Sequence, residues 1–253
     1  MPAAVILVHG LRTSATLWRH QVEELTVAGI PVIAIDLPGH GTRMSERFTL
    51  AGALEAIGDA VTEATGATGV APYLVGFSLG GYLSIEWVAT HPGSVSGLLA
   101  ASCGTVPGRV ILGGWRLLAL GIHTFPDRGR SLNDFVVRLF VPSPGAEDVI
   151  AGGVALEVMD DVLRELIALR PVQALRSIDV PVLFVNGRFD HIRWHARRYL
   201  VATPNGRVIT VAGSTHMVSV VRPREFTEAL LAGYAEATAT PASRRLPDGA
   251  SDW

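Results

Sequence analysis

Ser78, Asp190 and His216 have the types and the chain order needed for nucleophilic acyl transfer. A serine hydroxyl is a weak nucleophile at neutral pH. A histidine can take its proton and return one to the leaving group, and a carboxylate can fix the histidine tautomer and stabilise the imidazolium. Ser78 stands in Gly76-Phe-Ser-Leu-Gly80, after the apolar run 71–75 and before the helical run 81–90. A serine at the apex of a strand–turn–helix sits on strained backbone, so glycines two before and two after it let strand and helix approach. A tight structural turn with a capping serine would leave the same local pattern. The reading therefore depends on partners elsewhere in the chain.

Those partners follow two other apolar runs. Asp190 closes Val-Asn-Gly-Arg-Phe-Asp after the run 180–186, and His216 follows the run 206–211 in Gly-Ser-Thr-His. In open parallel sheets, reactive groups collect where strands end. Asp36 is the rival acid, but it precedes Ser78 and belongs to a tight Pro-Gly turn, which favours a structural role. Asp160 and Asp161 are expected to be solvated. A tetrahedral intermediate needs two donors on its oxygen. The amide of Leu79 would be one and the amide of Leu11, after His9-Gly10, the other. The helix N-terminus after Ser78 adds partly positive N–H groups there. His9 could bond loop backbone or line the substrate site, and Arg12 could meet a substrate carboxylate or face water.

Other reactive types carry less. His191 and His195 are four apart, a spacing that could pair ligands on a helix face, but no third ligand is evident and no metal site is expected. Arg188, Arg193, Arg197 and Arg198 read as a solvated face that could also receive an acidic substrate group or an acyl-carrier partner. The single cysteine, Cys103, excludes an internal disulfide and reads as a small core residue.

The elements that must position these groups are short, continuous apolar runs separated by helical patterns. Strands are predicted at 4–8, 31–35, 71–75, 97–102, 180–186 and 206–211. Helices are predicted at 17–28 (with Leu17, Val22, Leu25 and Ala28 inward), from a Thr49 cap to about 65, and at 81–90, 194–200 and 223–235. Continuous apolar strands alternating with helices argue for an α/β fold with a mostly parallel, doubly wound sheet of about six strands and right-handed crossovers. From 105 to 175 the rhythm changes to helical patterns at 110–120, 132–140 and 156–169, broken by glycine and proline. This stretch is read as an inserted helical cap on a core formed by 1–104 and 176–237. Trp115, Phe125, Phe135 and Phe140 are expected to form mostly the cap's own core, with Trp115, Phe125 and Phe140 as candidates to line the substrate site. The small, polar stretch 238–253 is expected to be mobile.

Composition bounds the rest. The chain has 253 residues, 49% hydrophobic and 17% charged, with net charge −2. Mean hydropathy is +0.35 and the pI about 6.4. That composition can bury a large core and lacks the basic field of a nucleic-acid binder. No apolar run is long enough to span a membrane, and no membrane partner is expected. The N-terminus lacks the basic start and small-residue cleavage site of a signal peptide, so a cytoplasmic protein is expected.

The motifs His9-Gly10, Asp36-Leu-Pro-Gly-His-Gly41, Gly76-Phe-Ser-Leu-Gly80, Gly187-Arg-Phe-Asp190 and Gly213-Ser-Thr-His216 resemble the α/β-hydrolase superfamily over nearly the whole chain. The resemblance implies a sheet lacking the family's first two strands, similar to the methylesterase and hydroxynitrile-lyase branch and to small bacterial esterases. Serine departs from the epoxide hydrolases and haloalkane dehalogenases, which carry aspartate there. No tryptophan follows His9-Gly10 as in many haloperoxidases. The activity expected is that of a cofactor-free serine hydrolase acting on a small or medium carboxylic ester or thioester, and the largely apolar helical cap points to a hydrophobic substrate such as a secondary metabolite. The alternatives are a C–C hydrolase, lyase or cyclase using the same three residues, and a non-catalytic ligand-binding member of the fold.

Overall fold

The computed structural model describes residues 1–239. Six strands form one sheet: β1 (Val5–Val8), β2 (Val32–Ile35), β3 (Tyr73–Phe77), β4 (Gly97–Ala101), β5 (Val182–Gly187) and β6 (Gly206–Val211). Their spatial order is β2-β1-β3-β4-β5-β6, and every pairing is parallel. The apolar strands divide their side chains between two faces, as a period of two requires. Ile6, Leu74, Leu98 and Phe184 face one core and Leu7, Val75, Leu99 and Val185 the other. Edge strand β6 is largely exposed.

Helices cover both faces. α1 (Arg19–Val27) follows a 3₁₀ turn at Ala15–Trp18, α2 spans Leu50–Thr68 and α3 Leu79–Thr90. The Thr49 side chain caps α2 by accepting the Gly52 amide at 3.0 Å. Leu17 and Leu25 are buried and Val22 packs against the same core, as expected, while Ala28 is exposed; Trp18 and Gln21 are buried as well. Trp18 packs on Phe226 with ring centroids 5.8 Å apart.

Between β4 and β5 run α4 (Arg109–Ile122), α5 (Arg130–Phe140), α6 (Gly145–Ala151), α7 (Met159–Leu166) and α8 (Pro171–Ala174). α4 packs on α7, α6 on the Ala15–Trp18 turn, and α8 on α3. The Arg19 guanidinium bonds both Asp148 oxygens, at 2.6 and 3.0 Å, tying α1 to α6. Asp160 and Asp161 are not simply solvated: they pair with Arg116 at 2.6 Å and Arg47 at 3.2 Å. α9 (Ala196–Ala202), α10 (Val218–Val221) and α11 (Pro223–Thr238) complete the chain. Helices α6, α8 and α10 are too short for a periodic signal, and none was expected. The mobile-tail expectation for 238–253 falls, beyond residue 239, outside the described residues, and Thr238 itself closes α11.

Candidate active site

Ser78 connects β3 directly to α3, with φ 51° and ψ −111°. That is costly for a residue with a Cβ, and it persists because both flanks are pinned. The Ser78 amide donates to Ala101 of β4 at 2.8 Å, and its carbonyl accepts from Tyr82 at 3.1 Å. A Cβ on Gly76 would meet Ser84 Oγ at 2.6 Å, and one on Gly80 would meet the His9 carbonyl at 2.7 Å. Both glycines of the motif are therefore required for the approach of strand, turn and helix.

The three sequence candidates meet in space. His216 Nε2 lies 3.1 Å from Ser78 Oγ, and His216 Nδ1 lies 3.0 Å from Asp190 Oδ1. Asp190 is buried and also accepts the Ile192 amide at 2.8 Å. Burial works to raise its pKa, but the His216 hydrogen bond and charge, the Ile192 amide and the nearby Ser102 hydroxyl outweigh it. The carboxyl stays below its usual range. The His216 ring lies between Phe77 and His191, with both centroid distances 5.2 Å. Its carbonyl accepts the Ser102 hydroxyl at 2.8 Å. The loop carrying it is tied to the Asp190 loop, since Phe189 donates to Ser214 at 2.9 Å.

The turn after β1 carries the amide expected as the second donor, that of Leu11. The Gly10 carbonyl accepts from His9 Nδ1 at 2.7 Å and Thr13 Oγ1 at 2.9 Å. Peptide planarity then fixes the Leu11 N–H in the opposite direction. Neither the Leu11 amide nor the Leu79 amide donates to any group among the described residues. Gly80 N–H donates to the His9 carbonyl at 3.1 Å, joining this turn to the start of α3.

His9 does not line a binding site. It is fully buried, and its Nε2 accepts the Leu37 amide at 3.0 Å. Both ring nitrogens thus hold loop backbone, and burial with neighbouring His40 depresses its pKa, keeping it neutral. Asp36, the rival acid, accepts from Ala15 N–H at 2.7 Å and from Thr42 N–H and Oγ1 at 2.8 Å each. It organises two loops, and none of its hydrogen bonds among the described residues involves His216. Arg12 has φ 66° and is partly buried, and its guanidinium has no hydrogen-bond or ion-pair partner among the described residues. Burial lowers its pKa.

Trp115 reaches the site's rim, its ring 6.0 Å from that of His191. Phe125 and Phe140 do not pack into a cap core, being 49% and 60% exposed. His191 and His195 do not share a helix face, because α9 begins at Ala196. His195 Nδ1 instead accepts the Val106 amide at 3.1 Å. No cluster of metal-ligating residues occurs among the described residues. Cys103 is buried beneath Gly81, whose Cβ would lie 2.8 Å from its sulfur, and burial raises its pKa.

Sequence reasoning missed Ser102, Thr13 and the Ile192 amide. Only the last had a local signal, an aspartate accepting from the amide two residues on. A cavity of about 380 Å³ between residues 39–48 and 127–161 contains none of the three candidates.

Comparison with known proteins gives the same fold. The family model described as "Alpha/beta hydrolase family" matches residues 5–229. Epoxide hydrolase B of Mycobacterium tuberculosis is 32% identical over 112 residues, covering 43% of this chain and 31% of that protein. The chain therefore spans about a third of that relative. A pimeloyl-[acyl-carrier protein] methyl ester esterase of Salmonella paratyphi A is 28% identical over 255 residues, 90% of this chain and 92% of that one. Among solved structures, a thermophilic esterase from Thermogutta terrifontis superposes with TM-score 0.77 at 18% identity, covering 94% of this chain and 92% of that one. No described helix is long and apolar enough to cross a membrane.

Proposed function

The chain belongs to the alpha/beta hydrolase family, and from that premise we propose that it is a serine hydrolase cleaving an apolar carboxylic ester or thioester through an acyl-enzyme on Ser78. The observation that carries this is the unbroken relay from Ser78 Oγ through His216 to Asp190, at 3.1 and 3.0 Å. His216 takes the hydroxyl proton as Ser78 attacks the acyl carbon. The oxyanion forms against the Leu11 and Leu79 amides. His216 then protonates the departing alcohol or thiol. Water, deprotonated by the same imidazole, releases the acid. Asp190 holds the tautomer with Nε2 free to accept. The helical stretch 105–175 would act as a cap, with Trp115 at its inner rim. The esterase named for the Salmonella relative supports ester chemistry, and its acyl-carrier substrate makes a carrier-bound acyl group one form to try. Arg12, with no protein acceptor, is proposed to receive a carboxylate on the substrate.

The test is pre-steady-state hydrolysis of p-nitrophenyl acyl esters. A burst with stoichiometry near one, and an acyl adduct on Ser78 by mass spectrometry, are expected. Both vanish in Ser78→Ala. Turnover of the native substrate that survives Ser78→Ala would remove the nucleophile role and favour acid–base chemistry by His216.

A further inference from the structure

α5 is an amphipathic helix facing the wrong way for a globular protein. Leu132, Phe135, Val136, Leu139 and Phe140 have the spacing that normally turns one helix face to a core. In the structure they are 39%, 63%, 39%, 62% and 60% exposed. The polar Asn133 is the buried residue of this helix. α4 does the same in part, exposing Val110, Leu117, Leu118 and Leu120 while burying only Leu112 and Ala119. Twelve of the twenty exposed large hydrophobic side chains among the described residues fall between 110 and 140. By helix rise, α4 and α5 extend about 21 and 16 Å. Exposed apolar side chains at this density along two successive helices mark an interaction site.

Charge narrows the partner. Residues 105–142 hold five arginines and two aspartates, with Arg116, Arg128 and Arg138 paired to Asp160, Glu157 and Glu147, and residues 188–198 hold four arginines and one aspartate, in a chain whose net charge is −2. The two segments are joined: His195 N–H donates to the Gly104 carbonyl at 2.8 Å, and the Trp115 and His191 rings meet. Arg109, Arg130, Arg188, Arg193, Arg197 and Arg198 have no ion-pair partner among the described residues. Exposed Phe189 and Trp194 lie within the second segment. An acidic protein surface would pair the arginines. Anionic headgroups over acyl chains satisfy both the arginines and the apolar stripe.

We propose that the α4–α5 face is an interfacial docking surface for anionic phospholipid, bringing the rim beside His191 and His216 onto the lipid surface. The sequence expectation of no membrane partner rested on the absence of a spanning run, which says nothing of a folded face. The proposal does not depend on the catalytic reading, because Ser78→Ala should bind lipid as the wild type does.

The test is co-sedimentation of the full chain with phosphatidylcholine vesicles, with and without 30% phosphatidylglycerol (about 30 mol%). Binding to the anionic vesicles, weakened by salt, is expected. Phe135→Asp with Leu139→Asp should abolish it while the rate on a soluble p-nitrophenyl ester stays within about twofold. Arg109→Gln with Arg130→Gln should weaken partitioning by about 30-fold. The proposal is overturned if the wild type sediments with neither vesicle, or if the double aspartate variant still binds. It is also overturned if the wild type is a dimer that this variant splits, which makes the face an interface between copies. Capture of an acidic acyl-carrier protein without vesicle binding would assign the face to that partner and overturn the proposal equally.

Discussion

Replacing Gly10 with alanine tests the oxyanion assignment where the packing is tightest. The added Cβ would lie 2.8 Å from Phe77 Cδ1 and Cε1 and 3.2 Å from Ser78 Cβ. Carbon atoms pack favourably from about 3.5 Å, so roughly 0.7 Å must be relieved against the ring. Phe77 cannot swing away. It is buried, edge-on to Trp18 at 6.5 Å and against the His216 ring at 5.2 Å. The turn must therefore yield, carrying the Leu11 amide off its aim. Loss of one oxyanion donor costs about 10²–10³ in kcat, and a displaced donor should fall near the lower end. Overpacking should cost about 1–3 kcal/mol of stability. The assay is the acylation rate from burst kinetics, beside thermal melts. A thionoester, whose sulfur is a poor acceptor, is compared with the matching oxoester. The variant should fold, lose about 100-fold in acylation with KM within a few-fold, and discriminate less between oxygen and sulfur. A folded Gly10→Ala protein that acylates within twofold of wild type would refute the role of the Leu11 amide.

Asp190→Asn keeps the shape at His216 but lets the wrong tautomer form. Its kcat should fall by about 10³–10⁴ with KM little changed, measured on an activated ester. His40 and His9 are buried neutral. Burial holds the His40 pKa to about 4, from 6.5, and lowers His9 likewise. The unfolded chain binds these protons first, so stability is full above pH 6.5 and is lost as pH falls below it. At pH 5.5 each buried neutral histidine should cost about 1.4 kcal/mol, readable in urea melts at pH 7.5 and 5.5. An unchanged pH slope in His40→Gln would contradict this. Arg12→Gln should lower kcat/KM by about 10- to 100-fold for esters carrying a free carboxylate and leave neutral esters nearly unaffected. Equal losses on both would make Arg12 a structural residue.

The chain by itself determined much of this. Short continuous apolar runs between helices are enough to specify a parallel sheet buried on both faces. Glycines two before and two after Ser78 announce a turn too tight for a Cβ at either of those positions. Groups at strand ends are few, so Ser78, Asp190 and His216 could be named before their distances were known. Tertiary structure decided what local pattern cannot carry. His216 and Ser78 are 138 residues apart, and only the strand order β2-β1-β3-β4-β5-β6 sets β5 and β6 on the side of β3 that makes them meet. His9 reads the same in sequence whether it faces a ligand or a carbonyl, and its role followed from the Leu37 amide on Nε2. The widest departure is α5. Periodicity fixes which side of a helix is apolar, because that depends on 3.6 residues per turn. It does not fix what lies against that side, because burial depends on where neighbouring elements are placed. Phe135 and Phe140 were expected inside a cap core, and the fold leaves them facing out.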